Sequence, residues 1–126
     1  MPHTITYNSD LRIIEVKLQG SITLNGLKDF FSECAQVAKA QDCFLWLGDL
    51  REATLKLSTL ELYELPQILS DIFGSVGISA FDLRRALVVV TNVEDFSFLE
   101  TVAHNRSHRL KCFTDIDLAK KWLLEK

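Results

Sequence analysis

Phe44-Leu45-Trp46-Leu47-Gly48-Asp49 is an unbroken apolar run that ends abruptly in a glycine and a carboxylate, with helical patterns on both sides. A short run of this kind reads as a strand buried on both faces, within a mainly parallel sheet covered by helices. Gly48 and Asp49 then mark the point where the strand leaves the sheet. Ligands and partners of open α/β sheets gather at that edge.

The rest of the chain supplies the neighbours such a strand needs. Thr4 to Tyr7 and Leu11 to Leu18 are two β-type runs joined by Asn8-Ser9-Asp10, residues whose side chains stabilise tight turns. In the second run Ile14, Val16 and Leu18 share one face while Leu11, Ile13, Glu15 and Lys17 share the other, which predicts a partly covered hairpin at the sheet edge. Leu27, Phe30, Phe31, Cys34, Val37 and Ala38 then recur at helical spacing, with Thr23 or Asn25 as the cap and Gln41-Asp42 as the stop. Residues 50–57 read as a long loop, and long connections at this edge often carry function.

Ser58-Thr59-Leu60-Glu61 matches a capping box and opens a second helix, with Leu62, Leu65, Leu69, Ile72 and Phe73 as its apolar stripe. Pro66 in its interior predicts a bend or a restart, and Gly74 and Gly77 close it. Leu83 to Val90 is the second buried strand, followed by Thr91-Asn92 as the cap of a third helix with Phe96, Leu99, Val102 and Ala103 inside. Lys111-Cys112-Phe113 is a short last strand. Thr114-Asp115 caps a fourth helix with Leu118, Ala119, Trp122 and Leu123 on its inner face. The expectation is one α/β domain over residues 1–126: a five-stranded, mainly parallel mixed sheet with an antiparallel N-terminal edge hairpin and four helices.

Phe113-Thr114-Asp115-Ile116-Asp117-Leu118-Ala119-Lys120-Lys121-Trp122-Leu123 resembles the closing pattern of bacterial proteins in the SpoIIAA-like group, which shares the STAS α/β superhelix with larger lipid-holding relatives. Gly48-Asp49-Leu50-Arg51 resembles the strand end before the second helix in the same group. The resemblance spans nearly the whole chain and implies a SpoIIAA-like fold. For STAS proteins of the anti-sigma-factor-antagonist type it further implies docking of a partner protein, controlled by a phosphorylated serine in an Asp-Ser-(Ser/Thr)-Gly turn. This chain departs from that turn: Ser58 stands at a comparable helix start, in Leu57-Ser58-Thr59-Leu60-Glu61, without the aspartate or the glycine.

Composition narrows the function classes. A net charge of -3 provides no field to attract nucleic acid or an anionic membrane. Cys34, Cys43 and Cys112 are odd in number and sit inside apolar patterns, so they read as buried hydrophobes of a reducing compartment. No apolar run approaches the ~20 residues that span a bilayer, and no secretory pattern opens the sequence, so the expected location is cytoplasmic. Gly-rich phosphate loops, Gly-x-Ser-x-Gly and His-Glu-x-x-His are missing from the sequence, which nominates no catalytic residue and no cofactor. Glu100, His104 and His108 fall at four-residue intervals, but the helix is expected to end before His108, which argues against a metal site.

The first functional reading is a non-enzymatic regulatory or interaction module that docks a protein partner at the strand end through Asp49, Arg51, Ser58 and Thr59. A homodimer is an alternative use of the uncovered hairpin face together with Phe98, which falls off its helix's apolar stripe. The second reading is a binder of a small apolar or lipid-like ligand between the sheet and the bent second helix. A minor third reading pairs Asp49 with His104 as acid and base.

Overall fold

A computed structural model describes residues 2–125. Five strands, β1 (His3–Asn8), β2 (Ile13–Ile22), β3 (Leu45–Leu55), β4 (Arg84–Val88) and β5 (Arg109–Phe113), lie side by side in chain order. β1 and β2 are antiparallel and the remaining pairs are parallel. Four helices complete the fold: α1 (Leu24–Gln41), α2 (Thr59–Gly74), α3 (Val93–Asn105) and α4 (Ile116–Leu124). The expected fold class is the observed one.

Strands that follow in sequential order through right-handed crossovers carry their helices on one face. Accordingly α1, α2 and α3 share the larger core, where Ile14, Val16, Trp46 and Leu50 of the sheet meet Phe30, Leu62, Leu69, Phe73 and Leu99. Only α4 covers the opposite face, through Ala119 and Leu123 packed on Ile13, Leu47, Ala86 and Val88. The hairpin's half of that face stays open, and Glu15 and Lys17 stand there beside Thr4 and Thr6 of β1.

The local signals acted largely as their chemistry dictates. Asn8 Oδ1 accepts from the Asp10 and Leu11 amides in the hairpin turn. Thr23 caps α1, Ser58 and Glu61 form the reciprocal capping box of α2, and Asp115 caps α4 by accepting from the Asp117 and Leu118 amides. Pro66 is buried inside a continuous α2, where its missing N–H removes one helical hydrogen bond without ending the helix.

Three expectations are corrected. Residues 50–55 are not loop: β3 runs on to Leu55, paired with β2 as far as Ile22, while its pairing with β4 stops at Asp49 opposite Val88. Asn92 occupies the N-cap position of α3 in a left-handed conformation, φ 54°, but makes no side-chain cap. Its Oδ1 accepts instead from the Leu55 amide at 2.9 Å, and Thr91 Oγ1 donates to the Ala53 carbonyl at 3.2 Å. These two side chains replace the β4 backbone where that strand has ended, because a strand's polar groups must find partners once a neighbour is lost. Leu118, expected inside, is exposed. Among the described residues no helix is long and apolar enough to cross a membrane.

Candidate functional site

The extension of β3 separates the residues expected to act together. Asp49 and Arg51 stand partway along the strand on the α4 side, whereas Ser58 and Thr59 lie beyond its end, at the start of a helix on the other side. The six residue steps from Asp49 to Leu55 along β3 amount to roughly 20 Å. The single strand-end surface expected from the sequence is therefore two surfaces.

The first surface is a groove of about 610 Å³, open to solvent, between α4 and the hairpin. It is lined by Thr4, Thr6, Glu15, Lys17 and Asp49, with Ile116 and Lys120 on its far wall. Here β3 bulges: three steps from Asp49 to Glu52 face two steps from Lys17 to Gln19. Within the bulge Arg51 grips Asp49 through both carboxylate oxygens, Nε and Nη2 each at 2.9 Å, and its amide adds a third bond. The fork, Arg51's amide and its positive charge hold the Asp49 carboxyl below the usual carboxylate range, against partial burial. Lys17 pairs with Glu52, and Asn8 reaches Glu15. Asp49 and Lys17 are thus each engaged with a neighbour in the same sheet.

The second site was not nominated by the sequence. On the opposite face a crevice of about 410 Å³, its mouth included, opens between α1 and α2 above β2, β3 and β4. Its roof is Phe30, Phe31 and Cys34 from α1 with Leu69 and Phe73 from α2, and its floor is Val16, Trp46, Gly48, Arg85 and Leu87. A methyl group added at Gly48 would meet Leu87 Cδ2 at 2.8 Å, so the glycine leaves room for the Leu87 side chain on the floor. Trp46 and Arg85 are register partners on neighbouring strands, in one row with Ile14 and Leu110. Ile14, Trp46 and Leu110 are 0%, 5% and 0% exposed, which makes Arg85 the charged member of an otherwise apolar core row.

Of that row's two polar groups, one is buried without a partner and the other is a partly exposed cation. The Trp46 indole N–H is buried without an acceptor. The half-buried Arg85 takes no part in the ion pairs of the described residues, and its guanidinium has no hydrogen-bond partner among them. Burial lowers its pKa to about 10, with the Cys112 and Cys34 thiols acting in the opposite sense, and the group remains cationic at neutral pH. Burial also pushes both thiols up, Cys112 to about 12, so neither becomes a thiolate partner. Burial, together with Arg85 and Arg106, holds His108 below the ordinary histidine range and hence neutral. A cation in apolar surroundings without a counter-charge is costly, and such groups mark functional sites more often than chance allows. The signal was present in the sequence, as an arginine inside a strand read as buried on both faces, but Arg84 beside it carries the same label. Arg84 points to the other face, where it lies 4.2 Å from the Trp122 ring and donates to the Trp122 carbonyl at 2.6 Å.

Other nominated residues have structural employment. Glu100 accepts from the Cys112 amide at 3.0 Å, satisfying the edge strand β5, and His104 Nε2 bonds the Leu110 carbonyl at 2.9 Å. His104 lies on the helix-covered face and Asp49 on the other, so the two cannot share a proton transfer. His108 follows α3, buried against Phe81. No group of three or more His, Cys, Asp or Glu side chains suited to a metal ion occurs among the described residues. Phe98 is partly exposed on α3, near β5, whereas the open hairpin face lies at the other sheet edge; the two do not form one patch. No family model and no curated protein matches this chain.

Proposed function

We propose that this protein is a non-enzymatic binding module that takes a small, mainly apolar ligand into the crevice between the sheet and helices α1 and α2. The observation that carries the reading is the crevice itself: aromatic and aliphatic side chains above and below, the Trp46 indole N–H buried without an acceptor among the described residues, and the partly exposed Arg85 beside it. Ligand sites are concave, mostly apolar and furnished with few polar groups; the crevice shares that lining, and its enclosed space of about 60 Å³ admits only a small ligand. The buried Pro66 lies one turn before Leu69 on α2, and the hydrogen bond it deletes leaves the roof easier to deform. The resemblance to the SpoIIAA-like group accords with a binding role without catalysis.

The test is a titration of 1-hexanol followed by ¹⁵N-resolved NMR. Saturable shifts of the Trp46 indole and of Phe30, Leu69 and Gly48 amides are expected, and a Gly48→Leu variant that fills the floor should lose them. Shifts that never saturate, or that spread evenly over the surface, would refute the reading.

A second reading keeps a protein partner, at the outer face of α2. Leu60 and Tyr63 are 65% and 52% exposed there, one helical turn apart and beside Ser58 and Thr59. Native mass spectrometry of protein purified gently from its own host is decisive: a polypeptide held by the unchanged chain and lost from Leu60→Asp supports docking, and its absence ends that reading.

A further inference from the structure

We infer that the ligand of the crevice is a monoanion, a short-chain carboxylate whose head group is held by Arg85 and the Trp46 indole N–H and whose tail lies between Phe30, Leu69 and Phe73. The inference rests on the crevice being a ligand site and adds the chemical class of what enters it.

Five features support it. Arg85 and Trp46 come from paired positions of β4 and β3 and both line the crevice, which brings a cation and a neutral donor to one site. Both are donors only, and both lack a protein acceptor among the described residues. No neighbouring anion cancels the guanidinium, because Cys34 and Cys112 stay protonated and the ion pairs of the described residues lie elsewhere. One cation and one neutral donor balance one negative charge, which favours a carboxylate over a doubly charged phosphate ester. The enclosed space of about 60 Å³ limits the tail to a few carbons and excludes a full lipid.

The groove on the opposite face lacks this logic. Its Asp49, Lys17 and Glu52 have partners in the sheet, and its open polar walls offer an apolar tail nothing to displace water from.

The experiment compares sodium hexanoate with 1-hexanol on the full chain, following the Trp46 indole N–H resonance, assigned with Trp122→Phe. Hexanoate is expected to bind roughly 10- to 100-fold more tightly than hexanol, the worth of a charge-assisted pair, and to move the indole proton downfield as it gains an acceptor. In Arg85→Met the two ligands should bind within about twofold of each other, with the alcohol still bound. Equal affinities in the unchanged protein, or an acid preference that survives Arg85→Met, overturn the carboxylate assignment and leave the apolar site standing. Failure of both ligands to bind removes the site itself. Should Arg85→Met not fold, the acid-to-alcohol ratio in the unchanged protein decides alone.

Discussion

The two faces of the sheet treat charge in opposite ways. On the α4 side, Asp49, Arg51, Lys17 and Glu52 stand at the rim of a wet groove, and each finds its opposite within the sheet. On the side covered by α1, α2 and α3, the half-buried Arg85 stands in the row between Trp46 and Leu110 and has no counter-charge among the described residues. Exposed pairs are nearly neutral for stability, because solvent screens them and side-chain entropy opposes them. A cation taken from water without a partner lowers stability, and its presence calls for another explanation. The face richest in charge is therefore the less informative, and the single arginine on the apolar face is the more.

The largest effect is expected at Trp46. Trp46→Ala should cost about 3–5 kcal/mol in urea unfolding, because it empties the centre of the core row and removes the edge-on partner of Phe73, 6.2 Å away. A loss below about 1 kcal/mol would mean that the crevice collapses readily and is no preformed site.

Arg85→Met sharpens the contrast through its sign. Replacing an uncompensated guanidinium by an apolar side chain of similar length should raise the ligand-free protein's stability by about 1–3 kcal/mol. A fall of that size would show Arg85 to be a structural residue with partners in solution.

At the junction of the faces, Asn92→Ala withdraws the acceptor of the Leu55 amide and should cost about 1–2 kcal/mol. Amide exchange at Leu55 should quicken while that at Leu47 does not.

The smallest effect belongs to the wet face. Asp49→Asn should cost about 0.5 kcal/mol at pH 7, a value ordinary for an exposed pair. Because Arg51 lowers the folded carboxyl's pKa, this contribution is present above the unfolded value near 4 and vanishes as pH falls through the folded one. The variant should accordingly match the unchanged protein at low pH and differ from it only above that window.

Much of this molecule was legible before any fold was in view. The turn at Asn8, the capping box of Ser58 and Glu61, the Asp115 cap and the apolar stripes of α1 and α2 are local matters, decided by residues within a turn or two of one another. They sufficed for the element order and, with the handedness of crossovers, for the mixed five-stranded sheet. The end of β3 was not legible, because residues 50–55 carry charges typical of a loop and are held as strand by β2 on one side and by Thr91 and Asn92 on the other. Nor were the opposite destinies of Arg84 and Arg85. Adjacent strand residues always face opposite sides, but what waits on each side, the Trp122 ring or a crevice between two helices, depends on segments dozens of residues away. Which elements form, and in what order, follows from causes that are short in range along the chain. Which charges are answered and which are left open follows from packing, since a charge's partner is set by distance in space and by the water that packing has removed.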